Sequence, residues 1–313
     1  MNKEHIIIVG FGWVGQANAI ALSRMGHAVS FYDPAEPPHH HQRFEPDYAS
    51  ITRIINPRDV DSPSTCFVVC VGDRVSEDGV QDIARIKEAL NALEKTQGTV
   101  ILRSTVLPQH LKDLTFDFYV PEFLHEKQAV EECIDPYFFV VGKRNERLEP
   151  SFFSRWRKSA YKVFEGTPEE ASQLKYLSNI WNATRIAFVN EFGNAIGTPS
   201  NKEELASIER VVNFMFDGRP YMRYGRAFKG HCLPKDTRAF IRASNDAGVR
   251  VLLFEGVYAS NAIQEKLEQK HPLMPEWYSF WPDKHVSAAM AIKSVLYTVT
   301  KRLGIIKKPT WNR

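Results

Sequence analysis

Apolar positions in this chain fall first into short unbroken runs and later into long helical rows. The stretch from His5 to Val9 is a continuous apolar run closing at Gly10, the pattern of a strand buried on both faces of a parallel sheet. Helical apolar spacing follows to Met25, Gly26 stops it, and His27 to Tyr32 reads as a second strand. Cys66 to Val71 and Thr99 to Leu102 are further buried runs, Phe116 to Val120 reads as a strand, and helical patterns such as Asp82 to Lys95 separate them. A loop rich in Pro and His is predicted from Pro34 to Pro46. Strands alternating with helices imply a parallel sheet with right-handed crossovers.

From Thr167 the pattern turns helical. Thr167 is a good N-cap, Pro168 suits the first helical position, and Glu170 completes a capping box, so one helix is expected to run through Glu191. Further helices are predicted over Glu203 to Phe216 and Asp236 to Ala247, the latter closed by Gly248. The predicted fold is α/β: an N-terminal Rossmann-type, doubly wound parallel sheet (1–165), then a mostly helical central domain (166–270), then a tail (271–313).

The 313 residues are 43% apolar and 25% charged with a net charge of +3, the balance of an ordinary globular protein, and nothing global calls for nucleic acid. The four cysteines form no CxxC pair, and Cys66 and Cys70 lie in an apolar run, so core packing, no metal site and a reducing cytoplasm are expected. The first ten residues are too short in apolar run for a signal peptide or a membrane span.

Gly10-Phe11-Gly12-Trp13-Val14-Gly15 is a weak motif alone, but here it joins a predicted strand to a predicted helix and Asp33 ends the next strand. In that setting Gly10 makes the tight turn, Gly12 admits backbone to a pyrophosphate, and Gly15 lets helix pack on strand. The pyrophosphate would meet the positive end of the helix dipole across the Trp13 and Val14 amides. Asp33 would accept hydrogen bonds from ribose hydroxyls and repel a 2′-phosphate, which favours NAD over NADP.

Lys175 and Asn179 lie four apart on the long helix, with Asn182 and Asn190 near the same face. Pointed into a cleft, Lys175 and Asn179 would stabilise a developing alkoxide; pointed outward they would be a solvated stripe. Gly230-His231-Cys232-Leu233-Pro234-Lys235-Asp236 places Cys232 just ahead of a predicted helix N-terminus, which, with Lys235 beside it, should lower the thiol pKa and make a nucleophile; a structural cysteine at a turn is the equal alternative. Glu122 and Glu126 follow the Phe116 to Val120 run, at the strand end where open α/β sheets bind ligands.

Taken together, the motifs resemble the UDP-glucose/GDP-mannose dehydrogenase family. The carrying segments are GFGWVG at Gly10, RSTVLP at Arg103, VPEFLHEKQAVEECIDPYFFVVG at Val120, EEASQLKYLSNIWNATRIAFVNE at Glu169 and KGHCLPKD at Lys229, in order over about residues 5 to 265. The resemblance implies NAD-dependent oxidation of the C6 primary alcohol of a nucleotide sugar, UDP-glucose to UDP-glucuronate in the first instance, as in polysaccharide biosynthesis. It implies Cys232 as the nucleophile that forms a thiohemiacetal and then a thioester. Lys175 and Asn179 would hold the C6 oxygen, Asp236 would handle the proton or hydrolytic water, and Glu122 would assist hydrolysis. Thr105 would stand near nicotinamide and catalytic water, Lys235 beside the catalytic aspartate and the cofactor, and Phe123, Leu124 and Gly230 along the sugar. A homodimer through the long helix is also implied.

Two local departures stand out. The family's GFGG before the cysteine is Ala227-Phe228-Lys229-Gly230 here, which puts a cation beside the expected sugar site, and its VPTP loop is Val71-Gly72-Asp73-Arg74. A third is length: only 43 residues follow Lys270, so a short form without the family's C-terminal UDP-binding domain is expected. From His285 to Arg313 those residues are basic without an acidic side chain, and Val286 to Leu303 has helical apolar spacing. That pattern suits a core-facing helix, a peripheral membrane contact or a partner enzyme. His39-His40-His41 cannot converge easily on a metal and reads as solvated loop. A two-electron 3-hydroxyacid or 6-phosphogluconate-type dehydrogenase, and a non-catalytic NAD-binding relative, are the competing readings.

Overall fold

In the computed structural model, which describes residues 4–217, 219 and 221–270, the first apolar run is strand β1 (His5–Val9). Successive side chains leave a strand on opposite faces. Ile6 and Ile8 therefore pack with Ala17, Ile20 and Ala21 of helix α1 (Trp13–Arg24), while Ile7 and Val9 pack with Ile86 and Leu90 of helix α2 (Ala84–Ala92). Both faces of the sheet are covered, which is why the run carries no polar alternation. Each such side chain contributes about 1.5–3 kcal/mol by leaving water.

The remaining strands are β2 (Ala28–Tyr32), β3 (Thr52–Arg53), β4 (Thr65–Val69), β7 (Thr99–Leu102), β8 (Phe118–Tyr119), β9 (Phe138–Lys143) and β10 (Lys162–Gly166). They form one sheet in the order β10-β9-β8-β7-β4-β1-β2-β3. A separate antiparallel hairpin is made of β5 (Arg74–Val75) and β6 (Gln81–Asp82). Helices α4 (Ala129–Ile134) and α5 (Ser151–Ser159) cover the α1 face, and α3 (Pro108–Leu111) covers the other. The sheet is parallel from β3 to β8, but β9 runs antiparallel to β8, so the predicted doubly wound parallel sheet holds with a reversed edge pair.

Beyond the sheet, α6 (Pro168–Ile196), α7 (Lys202–Phe216), α8 (Cys232–Asp246) and α9 (Leu252–Lys270) pack around α6. The α6 start is the predicted capping box: Thr167 N donates to Glu170 Oε2 at 2.8 Å and Glu170 N donates to Thr167 Oγ1 at 3.2 Å.

Several boundaries differ from the sequence reading. The run expected to 71 leaves the sheet after Val69, and Asp82 belongs to β6 rather than to α2. Helix α8 begins at Cys232, four residues before the expected start, because Leu233 and Pro234 occupy its first turn, where a proline needs no amide donor. The Pro- and His-rich stretch is only partly loop: a 3-10 helix covers Gln42–Ser50 and His41 is buried with its Nε2 on Trp13 O at 2.9 Å. The basic tail expected over 271–313 lies outside the described residues.

Candidate active site

Three loops at the carboxyl ends of β4, β7 and β8 meet α6 and α8 above the sheet. The loop after β8 brings Glu122, 7% exposed, to Lys175 of α6, 2% exposed, with Nζ to Oε1 at 3.1 Å. The Leu124 amide donates to the second Glu122 oxygen at 2.8 Å, and the Lys175 ammonium lies 5.5 Å from the centre of the Phe123 ring. Burial alone would raise the Glu122 carboxyl, but Lys175, the Leu124 amide and Arg103 outweigh it and hold the group below its ordinary value. Lys175 is correspondingly held above its ordinary value by Glu122, Cys232 and Asp236 against the pull of burial. The pair is thus a buried, ionised couple, and the outward-facing stripe is excluded for Lys175 and Asn179.

One turn on, Asn179 donates its amide to Asp236 Oδ2, and Lys235 donates to Asp236 Oδ1 at 2.7 Å. Asp236 is 1% exposed. Burial raises its carboxyl above the ordinary value although Lys235 and Lys175 pull the other way. Asn190 serves elsewhere: it accepts from Gly225 N and donates to Arg226 O, both at 2.9 Å. With Asn261 of α9, which brackets Phe228 at N and O, it fixes the loop that delivers Cys232. Gly230 takes φ +80 in that loop, a conformation glycine adopts without strain.

Cys232 corrects a sequence expectation. It sits in the first turn of α8, exposed as a residue, yet its thiol is pushed up to about 11. The dense protein around the sulfur disfavours the thiolate, and Glu122 and Asp236 add to this, while Lys175 and Lys235 offset only part. The lysine charges lose to burial of the sulfur together with two carboxylates, of which Glu122 comes from a loop far away in sequence. Alkylation of Cys232 in the free protein is therefore expected to climb about tenfold per pH unit from roughly pH 7 to 10. Iodoacetamide kinetics followed by mass spectrometry check this; a plateau near neutrality would contradict it.

The cofactor-binding candidates occupy the β1–α1 turn. Gly10 takes φ +90, and a Cβ on Gly15 would come within 2.0 Å of Gly10 O, so helix and turn meet only because Gly15 lacks one. Space beyond Gly12 is open, α1 has no side-chain cap, and its first turn holds no acid. Asp33 accepts from Phe11 N at 2.7 Å and from Ala35 N at 2.9 Å, leaving each oxygen a further lone pair. An open turn, uncapped amides and a carboxylate at the end of β2 fit the pyrophosphate and ribose of a dinucleotide.

Other candidates land as follows. Thr105 lies in the loop after β7, its carbonyl accepting from Gln81 at 3.2 Å. Phe123 and Leu124 are half-buried beside Glu122. Lys229, the unexpected cation, turns to α9 and pairs with Glu268. The triple histidine diverges: His39 pairs with Glu45 and His41 is buried, and among the described residues no cluster of metal-ligating side chains occurs. Sequence reading missed Arg103, buried 5.0 Å from the Trp156 ring and adding positive charge near Glu122, and missed Asp73 and Gln81 behind Lys235. A charged residue directly after an apolar strand was the available signal for Arg103.

Residues 169–263 match the model of the UDP-glucose/GDP-mannose dehydrogenase family, central domain. Among curated relatives, GDP-mannose 6-dehydrogenase of Pseudomonas putida is 28% identical over 227 residues, 64% of this chain and 51% of that one. UDP-glucose 6-dehydrogenase YwqF of Bacillus subtilis is 23% identical, over 84% of this chain and 67% of its own length. The chain thus spans about half the length of the GDP-mannose enzymes it matches. Among solved structures, the UDP-glucose dehydrogenase of Pyrobaculum islandicum superposes with a TM-score of 0.70 at 23% identity, covering 84% of this chain and 68% of that one. The GDP-mannose dehydrogenase of Pseudomonas aeruginosa, a ternary complex, does so at 0.56 and 26%, covering 83% and 68%.

Proposed function

We propose, from the match of residues 169–263 to the central domain of the UDP-glucose/GDP-mannose dehydrogenase family and the similarity to its members, that the chain oxidises the C6 primary alcohol of a nucleotide sugar to a carboxylate with NAD. The observation that carries the reading is the buried Glu122–Lys175 couple set with Asn179–Asp236 around Cys232. UDP-glucose is the first substrate to test and GDP-mannose the second, since relatives of both kinds are similar to this chain. On this reading residues 1–165 hold NAD and 166–270 carry most of the reactive side chains.

NAD, when bound, supplies the hydride acceptor. Gly10, Gly12, Trp13, Val14 and Gly15 would seat its pyrophosphate, Asp33 its adenosine ribose, and Thr105 would border the nicotinamide. The protein's own residues prepare the substrate. Lys175 and Asn179 would face the C6 oxygen and favour its alkoxide as the proton leaves. Phe123, Leu124 and Gly230 would line the hexose.

For the second oxidation the Cys232 sulfur bonds to the aldehyde carbon, the carbonyl π bond opens, and the oxygen takes a proton, giving a thiohemiacetal. Loss of hydride and that proton leaves a thioester. Water placed by Glu122 and Asp236 cleaves the C–S bond, and the thiol regains its proton. A thiol held mostly protonated at neutral pH suits this order, because attack then waits for a base and a bound aldehyde.

A row of exposed apolar side chains on α6, Leu177, Trp181, Phe188, Phe192 and Ile196, supports a homodimer. No helix among the described residues is long and apolar enough to cross a membrane.

The test is a panel of nucleotide sugars incubated with purified chain and NAD. About two NADH per sugar acid is the expected yield for one substrate of the panel. One NADH per turnover would replace the reading with a two-electron dehydrogenase, and NAD binding without turnover would leave a non-catalytic relative.

A further inference from the structure

The Lys235 ammonium is held by two carboxylates at once. It donates to Asp73 Oδ1 at 2.7 Å and Oδ2 at 2.9 Å, and to Asp236 Oδ1 at 2.7 Å. Asp73 lies in the loop between β4 and the β5–β6 hairpin, and its side chain is only 6% exposed. Its Oδ2 also accepts from Gln81 Nε2 at 2.7 Å. Gln81 is itself fixed, since its carbonyl accepts from Leu107 N at 2.9 Å and its amide lies 3.2 Å from the Tyr176 hydroxyl. Burying a carboxylate is costly unless its lone pairs are met, and here they are met by one ammonium and one amide aimed from two elements.

The hairpin that carries Gln81 is fastened to α8 independently. Arg242 pairs with Asp78 at 3.1 Å, Arg238 donates to Val75 O at 3.4 Å, and Gly79 lies so close to Arg238 that a Cβ there would meet its carbonyl at 2.7 Å. Asp73 therefore does not reach Lys235 from a loose loop. It is the inner member of a contact that runs along one side of α8.

We propose that Asp73 is a positioning residue for the oxidation, fixing Lys235 and dividing its charge so that Asp236 is oriented but not fully neutralised by the lysine. The proposal rests on the reading of Asp236 as the group that handles the proton or the hydrolytic water. Asp236 is faced by Lys235 and Cys232 from α8, by Lys175, Asn179 and Tyr176 from α6, by Tyr119 from β8, and by Asp73 from the β4 loop. Of these, Asp73 is the carboxylate that competes for the Lys235 ammonium. Removing its charge gives Lys235 to Asp236 alone and takes away one repelling anion, and both effects favour the ionised Asp236.

The experiment is a carboxyl NMR titration of Asp236 in the ligand-free full chain with isotope-labelled aspartate, the resonance assigned by its loss in Asp236→Asn. In Asp73→Asn the Asp236 midpoint is expected to fall by about one pH unit, and the pH dependence of kcat to move the same way. With the best nucleotide sugar, kcat is expected to fall about tenfold while KM changes less than about twofold. Asp73→Glu should return the midpoint and most of kcat. An unmoved midpoint in Asp73→Asn overturns the proposal, as does an Asp73→Glu variant as impaired as Asp73→Asn. Should Asp73→Asn lose its cooperative unfolding transition, Asp73→Glu decides alone: a wild-type midpoint supports the proposal and a fallen one overturns it. If no nucleotide sugar is oxidised by the wild-type chain, the function reading fails while the titration still judges Asp73.

Discussion

Replacing Cys232 with alanine is expected to halve the NADH yield per substrate consumed and to abolish release of the sugar acid. Without the sulfur there is no tetrahedral adduct from which a second hydride can leave, so the chain should stop at the aldehyde. The overall rate to acid should drop by about three orders of magnitude, the scale seen when a covalent nucleophile is removed. Cys232→Ser should behave in the same direction, because a serine hydroxyl is far less ionised than a thiol with a pKa near 11. Coupled assays of NADH, aldehyde trapped by a hydrazide, and acid by chromatography measure the three products separately. Wild-type yields of acid from Cys232→Ala would remove the thiol from the mechanism.

The second large effect is expected from Lys175→Met, which breaks the buried couple with Glu122. Removing one partner of such a pair destabilises by about 3–5 kcal/mol, because the other charge stays in a low-dielectric site. On the proposed function, in which Lys175 faces the C6 oxygen, its loss should cost a further factor of about 100 to 1,000 in kcat. The pH dependence supplies a sign. In the wild type the folded Glu122 carboxyl lies below its ordinary value, so its contribution is present above the unfolded pKa and fades as pH falls through the folded one. In Lys175→Met burial is no longer opposed by the ammonium and the folded carboxyl rises, so stability is gained on acidification and lost as pH climbs. Thermal unfolding at mildly acid and mildly alkaline pH should therefore show the gap between variant and wild type closing at the acid end. A gap that widens there would mean that Glu122 is not the partner that matters.

Much of this site was legible in the chain because its parts are locally encoded. The turn at Gly10 to Gly15, the Thr167 capping box and the i, i+4 pair Lys175 and Asn179 each follow from spacing within one element. What the chain did not reveal depends on partners far away in sequence. Cys232 reads as an activated thiol beside a helix end and a lysine, yet burial of the sulfur, with Glu122 and Asp236 adding to it, reverses the direction. Asp73 reads as a loop acid within the segment that departs from VPTP, and only the fold shows its ammonium partner. The same limit applies to Lys229, which pairs with α9 rather than reaching toward the sugar site. The reversed strand β9 escaped notice because periodicity reports burial and says nothing of strand direction.

The contact between Asp73 and Lys235 closes a loop of 162 residues, that between Glu122 and Lys175 one of 53, and that between Phe11 and Asp33 one of 22. Closure entropy grows with the logarithm of loop length, so these three bridges are ordered in the difficulty of their first formation. The dinucleotide turn can assemble on the first two strands and the helix between them. Asp236 acquires its partners only where α8 packs against loops that lie far earlier in the chain. On the proposed function, the contact that orients Asp236 is thus the one of the three with the highest closure cost, whereas the turn proposed to seat the cofactor needs only the shortest.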